Sequence, residues 1–275
     1  MSPIQRRHSD RACAVTARLV LAAVAVAGNR VSAAHAQDEI KKAAPRQRVY
    51  VSQYTGITAL GSSDLRLIQP RLGTDATYSG VNYEGKPLAG SPYYGFKVGY
   101  FLPKSSRVGF EFEYNHTKMY AKVGESKLLS GTWQGQTVSA TERLSDRIQR
   151  YYIANGINGI SLNVIYRVPV SVNEKYPDGR LQPYVGGGPQ YTYLYSINTV
   201  GGLRAKEKYH PNGWGYQLFG GVRYLTTPRF GLFAEGKYQH GDAVSLIADQ
   251  GDAEGGRGVT DIRIVQLAGG VFYQF

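Results

Sequence analysis

The chain has 275 residues and a formal charge of +12, with 34 glycines, 22 tyrosines and a single cysteine. That length suits one large or two small soluble domains, but the excess of glycine and tyrosine favours one β-rich unit. The lone Cys13 excludes a disulfide, and because it falls in a removable leader it also takes thiolate catalysis and cysteine metal sites away from the mature chain.

The first 36 residues read as a secretory signal peptide. Arg6, Arg7, Arg11 and Arg18 form a basic stretch, Leu19 to Gly28 an apolar run, and Ala34-His35-Ala36 a small-residue cleavage site before Gln37. The run is about half the ~20 residues that a membrane-spanning helix needs. Residues 37–47 then make a short periplasmic segment and 48–275 the folded domain, and no separate periplasmic domain is expected. Without the leader's five arginines and one aspartate the charge falls to +8. This scattered excess suits anionic surfaces such as lipopolysaccharide phosphate. Nucleic acid is not an expected partner, because no basic helix or basic stripe with interleaved aromatics is present.

Along the rest of the chain the recurring pattern is alternation of period two, with no run of 18 apolar residues. Residues 48–59 form the first segment, its two faces nearly equivalent. In the second, Tyr94, Phe96, Val98, Tyr100 and Leu102 oppose Tyr93, Lys97 and Phe101; in the third, Val108, Phe110, Phe112 and Tyr114 oppose Gly109, Glu111, Glu113 and Asn115. In the fourth, Ile160, Leu162, Val164 and Tyr166 oppose Ser161, Asn163 and Arg167. The fifth spans 181–196, where Pro183, Val185, Tyr191, Tyr193 and Tyr195 alternate with Tyr184, Gln190 and Thr192. Trp214, Tyr216, Leu218, Val222 and Tyr224 oppose Gln217, Phe219 and Arg223 in the sixth, and Phe230, Leu232, Ala234, Gly236 and Tyr238 oppose Phe233, Glu235, Lys237 and Gln239 in the seventh. The last puts Val265, Leu267, Gly269, Val271, Tyr273 and Phe275 on one face and Gln266, Ala268, Gly270, Phe272 and Gln274 on the other.

The connections alternate in length. Residues 103–106, 171–180 and 226–229 are short turns, whereas 61–90, 121–150, 197–212 and 241–260 are long, with 61–90 and 241–260 reading as solvated, mobile surface. Short turns at one rim and long loops at the other are how transmembrane barrels are built, and strands of ~9–11 residues suffice to cross when tilted. The predicted fold is therefore all-β: an eight-stranded antiparallel up-and-down transmembrane β-barrel with short periplasmic turns and four long extracellular loops.

The terminal Gly269-Gly270-Val271-Phe272-Tyr273-Gln274-Phe275, the segment Pro183-Tyr184-Val185-Gly186-Gly187-Gly188 and the eight-strand rhythm resemble the small outer-membrane barrels that include the transmembrane domain of outer-membrane protein A and the opacity-type surface proteins. The resemblance covers essentially the whole mature chain. It implies residence in the cell outer membrane among lipid and lipopolysaccharide. It also implies an assembly signal for the barrel-assembly machinery at Leu267, Val271, Tyr273 and Phe275. It does not choose an activity, since this fold hosts adhesins, surface antigens, small pores and lipid-modifying enzymes.

Inward positions collect both signs of charge at Lys97, Arg107, Glu111, Glu113, Arg167, Arg223, Glu235 and Lys237. An eight-strand interior is about wide enough to be filled by side chains, so these read as a salt-bridged plug, with a narrow porin-like ion path as the alternative. Tyr94, Tyr100, Tyr114, Tyr166, Trp214, Tyr224, Tyr238 and Tyr273 read as aromatic girdle residues. His240, Asp242 and Ser245 are the best candidates for a lipid A deacylase-like hydrolase, but such enzymes carry a His-x-Ser pairing where this chain has His240-Gly241-Asp242. His116 and His210 are too dispersed for a metal site, and Asp249, Asp252 and Glu254 lack the spacing of a calcium loop. Neither a metal nor a cofactor is expected. The favoured role is non-enzymatic, in envelope integrity or surface interaction with a loop partner that the sequence does not identify.

Overall fold

The computed structural model describes residues 46–86, 92–103 and 105–275. The expected signal peptide and its cleavage site lie outside the described residues. Apart from one 3-10 turn at Leu144–Asp146, regular structure here is entirely β-strand. The strands are β1 (Val49–Leu60), β2 (Ser63–Gln69), β3 (Thr74–Val81), β4 (Tyr83–Glu84), β5 (Tyr94–Phe101), β6 (Val108–Ala121), β7 (Ser126–Trp133), β8 (Gln136–Arg143), β9 (Ile148–Arg167), β10 (Leu181–Val200), β11 (Leu203–Arg204), β12 (Lys208–Leu225), β13 (Phe230–Asp249) and β14 (Asp252–Gln274).

All eight predicted segments form strands, and they close on one another. β1 pairs with β5, and the ring continues through β6, β9, β10, β12, β13 and β14 back to β1, antiparallel at every step. Closure leaves the ring no unpaired edge. Following paired residues once around from Val49, through Tyr100, Phe110, Val164, Gly187, Leu218, Tyr238 and Val265, returns to β1 at Ala59, ten residues further on. Eight strands with that stagger tilt by about 40° and leave an interior that side chains fill. Two glycines on β5 make room for two of the bulky ones, since a Cβ on Gly95 or Gly99 would lie 2.1 Å from the ring of Tyr54 or Tyr50.

Beyond the ring the structure corrects the expectation of mobile loops. The stretches 61–90 and 121–150 carry β2, β3, β4, β7 and β8, 197–212 holds β11, and β9, β10, β12, β13 and β14 run on for 18 to 23 residues each. β14 pairs with β2, and β3, β7 and β8 extend that sheet in order. The β7–β8 hairpin turns on Gln134 and Gly135 with φ of +50° and +79°, the left-handed pair that a type I′ turn requires. These extensions are strands for the same reason the ring strands are: they alternate. In β2, Leu65 and Leu67 are buried while Asp64 and Arg66 face water.

The inward faces of the extensions form one apolar core that includes Leu65, Leu67, Tyr78, Leu129, Ile153, Leu194, Ile247 and Ile264. The molecule therefore has two interiors end to end, one within the ring that holds the buried charges and a largely apolar one in the cap beyond it. At the opposite end the turn expected at the rim folds inward, burying Tyr176 and Asp178.

Candidate functional site

Inward positions on four ring strands bring six charged side chains together: Lys97 on β5, Glu111 and Glu113 on β6, Arg223 on β12, and Glu235 and Lys237 on β13. None is more than 3 % exposed. Three cations face three carboxylates, so the cluster is neutral, the condition under which charges can be buried at all. Lys97 Nζ lies 2.5 Å from Glu235 Oε2 and 3.3 Å from Glu111 Oε1. The Arg223 guanidinium is 3.3 Å from the other Glu111 oxygen. Lys237 contacts Glu113 directly and lies 3.5 Å from Glu235.

Neutral groups complete the coordination. Gln217 donates to Glu113 at 2.6 Å, Tyr184 to Glu235 at 2.9 Å, Tyr54 to Glu113 and Tyr50 to Glu111. Towards the cap, Tyr93 donates to Gln266, Gln266 to Gln239 and Gln239 to Gln217, at 2.8, 2.9 and 3.3 Å. Arg223 also stacks over the Tyr50 ring at 3.9 Å. A network with this many fixed bonds holds its members in one arrangement.

Two of the predicted members stand elsewhere. Arg107 is exposed in the turn before β6, and its backbone carbonyl accepts from the Arg167 N–H at 2.8 Å. The alternation was extended one residue beyond the true start of the strand, and Arg223 and Lys237 supply the cations that Glu111 and Glu113 need. Arg167 is buried but belongs to the floor. It lies 3.4 Å from Asp178, donates to the Ser106 carbonyl at 2.6 Å and to Gln182 at 3.1 Å, and covers the Phe101 ring. Sequence reasoning missed Asp178, Tyr50 and Tyr54, and set Tyr93 and Tyr184 on the inner faces of their strands without joining them to the charges. The aspartate sits in a turn with no periodicity, and Tyr50 and Tyr54 lie in the segment 48–59, whose two faces are nearly equivalent in sequence.

The outer wall has the opposite character. Phe96, Val98, Phe110, Phe112, Leu162, Val164, Leu218, Leu232, Leu267 and Val271 are all exposed. Aromatic residues bound this band at both ends. Tyr100, Tyr166, Tyr224 and Phe230 lie exposed at the short-turn end with Tyr273 half-buried beside them; Tyr94 and Trp214 lie exposed towards the cap, with Tyr114 and Tyr238 half-buried. Phe275 ends the β14 face that carries Leu267, Val271 and Tyr273.

The rim candidates for hydrolysis are not brought together. His240 and Asp242 face outward, His240 among Tyr216 and Tyr238, whereas Ser245 is fully buried on the other face and bonds Tyr151 at 2.8 Å and Asn198 at 3.1 Å. An odd separation along one strand places two side chains on opposite faces. His116 is buried against Tyr94 and Asn158, and His210 against Ser196. Among the described residues no three His, Cys, Asp or Glu side chains converge as metal ligands would. The carboxylates at the β13–β14 tip instead tie strands together: Asp249 accepts from the backbone of Arg71 and Leu72, and Glu254 engages Lys206 and Lys208.

In the cap, Glu142 accepts from Arg147 at 2.6 Å and from Tyr78 at 2.6 Å. The Arg147 hydrogen bonds hold the Glu142 carboxyl below the usual carboxylate range. A depressed folded-state value means that the contact contributes fully above the ordinary value of 4.5 and is lost as pH falls through the folded one. Arg147→Gln is expected to return the Glu142 titration, followed by NMR of its carboxyl carbon, to the ordinary range; an unchanged midpoint would remove Arg147 as the cause.

A closed ring of eight antiparallel strands with a filled interior is the fold of the small outer-membrane β-barrel proteins. The outer membrane protein OprG of Pseudomonas aeruginosa matches it with a TM-score of 0.52 at 14% identity, over 84% of this chain and 97% of that one. AlkL, solved in lipid bilayers, matches at 16% identity with a TM-score of 0.41 over 90% and 96%, and Neisserial surface protein A at 15% with 0.38 over 82% and 97%. No protein-family model and no curated protein sequence matches the chain.

Proposed function

We propose that the ring is a transmembrane barrel of the outer membrane, exported behind a cleaved leader, and that the protein acts without catalysis through the strand-built cap it carries above the bilayer. The observation that carries this reading is the outer wall: an apolar band between two aromatic belts on a ring whose backbone groups pair with one another all the way round. Lipid requires such pairing, because nothing in hydrocarbon can satisfy an open strand edge. With strands tilted by about 40°, the six to ten residues between the belts rise roughly 15–25 Å, in keeping with the apolar height of such barrels.

The filled interior favours an anchoring and surface-interaction role over conduction, since a neutral network lies beneath a largely apolar core. Outer-membrane lipid and lipopolysaccharide are the proposed surroundings, and the Leu267, Val271, Tyr273 and Phe275 face is the proposed signal to the barrel-assembly machinery. Planar-bilayer recording of the refolded chain, beside a Glu113→Gln, Lys237→Met double variant, tests the reading. Silence from a heat-modifiable protein is expected. Steady conductance that the double variant alters would make the chain a small pore instead.

A further inference from the structure

In one sector of the outer wall a polar side chain stands within the apolar band. On β1, Gln53 points outward between Val271 of β14 and Phe96 of β5, its paired neighbours and both exposed members of the apolar band. Its carboxamide is exposed and has no hydrogen-bond partner among the described residues. Two residues along, Thr55 is also exposed and turns its hydroxyl back to the Tyr93 carbonyl at 2.6 Å. Beside Thr55 lies Gly269, and beside Gly269 lies Ala234 of β13, both exposed.

Among the described residues nothing close to Gly269 requires it to be small. A Cβ there would have only the Phe233 carbonyl within 4 Å, at 3.9 Å, whereas a Cβ on the adjacent inward Gly270 would come within 2.3 Å of backbone. Glycine in a strand interior weakens the strand, and an amide in hydrocarbon with nothing to bond is costly. The two features sit side by side, and a neighbour in the plane of the membrane would account for both. Small residues let backbones approach, and polar side chains bond across the contact.

We propose that the β1–β14–β13 sector is a membrane-buried interface on which a second copy of this chain packs about a two-fold axis along the membrane normal. The inference rests on the transmembrane reading above. The chemistry selects a second copy as the occupant. A two-fold contact sets each residue near the axis against its own counterpart. A glutamine amide carries both a donor and an acceptor, so two facing Gln53 side chains satisfy each other with two reciprocal hydrogen bonds. Gly269 and Ala234 leave the recess that lets the two walls close.

Cysteine cross-linking of the full chain in lipid vesicles tests this, with Cys13→Ser as the background. Gln53→Cys is expected to give a disulfide-linked dimer under mild oxidation, while Leu162→Cys, on the far wall, stays monomeric. Without cross-linking, Gln53→Leu and Gly269→Leu are each expected to weaken self-association, measured by energy transfer between labelled copies at varied dilution in lipid, about tenfold. Equal cross-linking at the two positions, or a chain that stays monomeric at every dilution, overturns the interface. Resistance of each variant to alkaline carbonate extraction is scored separately, so loss of membrane insertion, which would sink the transmembrane reading, is distinguishable from loss of pairing.

Discussion

Lys237→Met is expected to lower the unfolding free energy of the ring by about 3–5 kcal/mol, because it strands a fully buried carboxylate. Glu113 has no exposure, and Lys237 is the cation that contacts it. Its remaining hydrogen-bond partners, Tyr54, Gln217 and Asn163, are neutral donors that bind the carboxylate without cancelling its charge. Adding Glu113→Gln to the same chain is expected to recover most of the loss, since removing both charges also removes the desolvation that the pair had to overcome. Urea titration in vesicles, followed through the fluorescence of Trp133 and Trp214, measures both. If single and double variants lose the same amount, the cost lies in packing around the Lys237 stem and not in an uncompensated charge.

Leu67→Ala is expected to cost about 2–5 kcal/mol, the range for truncating a leucine in a core that cannot collapse onto the space. Leu67 is fully buried in the cap between strands that hold one another through short ladders. The loss should appear first in the cap. Limited proteolysis is expected to cut within residues 61–86 while the ring keeps its heat-modifiable migration. A loss below about 1 kcal/mol with unchanged cleavage would mean that the cap core is not the packed unit described.

The eight ring strands were legible because lipid on one side and a packed interior on the other force strict alternation, and because apolar residues in phase with aromatic strand ends mark which face is which. The cap was not legible for a related reason. Ser63 to Gln69 alternates as cleanly as any ring strand, but its outward face carries Asp64 and Arg66 beside Ile68, so it does not have the apolar outer side that marks a lipid-facing strand.

The charge cluster was legible in part. Alternation placed Lys97, Glu111, Glu113, Arg223, Glu235 and Lys237 on the inner face, but which acid meets which base depends on stagger around the ring, which no single strand encodes. Arg167 shows the limit: its partner, Asp178, lies in the inward-folded turn between β9 and β10, where there is no period to read.

The seam between β1 and β14 joins residues 50–60 to residues 264–274, nearly the full length of the described chain. No part of the ring can close until its last strand is in place, and until then every arrangement has two open edges. The route to the native state is therefore governed by one very long loop closure, with its entropy spent before the final ladder returns anything. Weakening that seam should slow folding more than weakening any hairpin between neighbours, even where the two cost the finished structure the same.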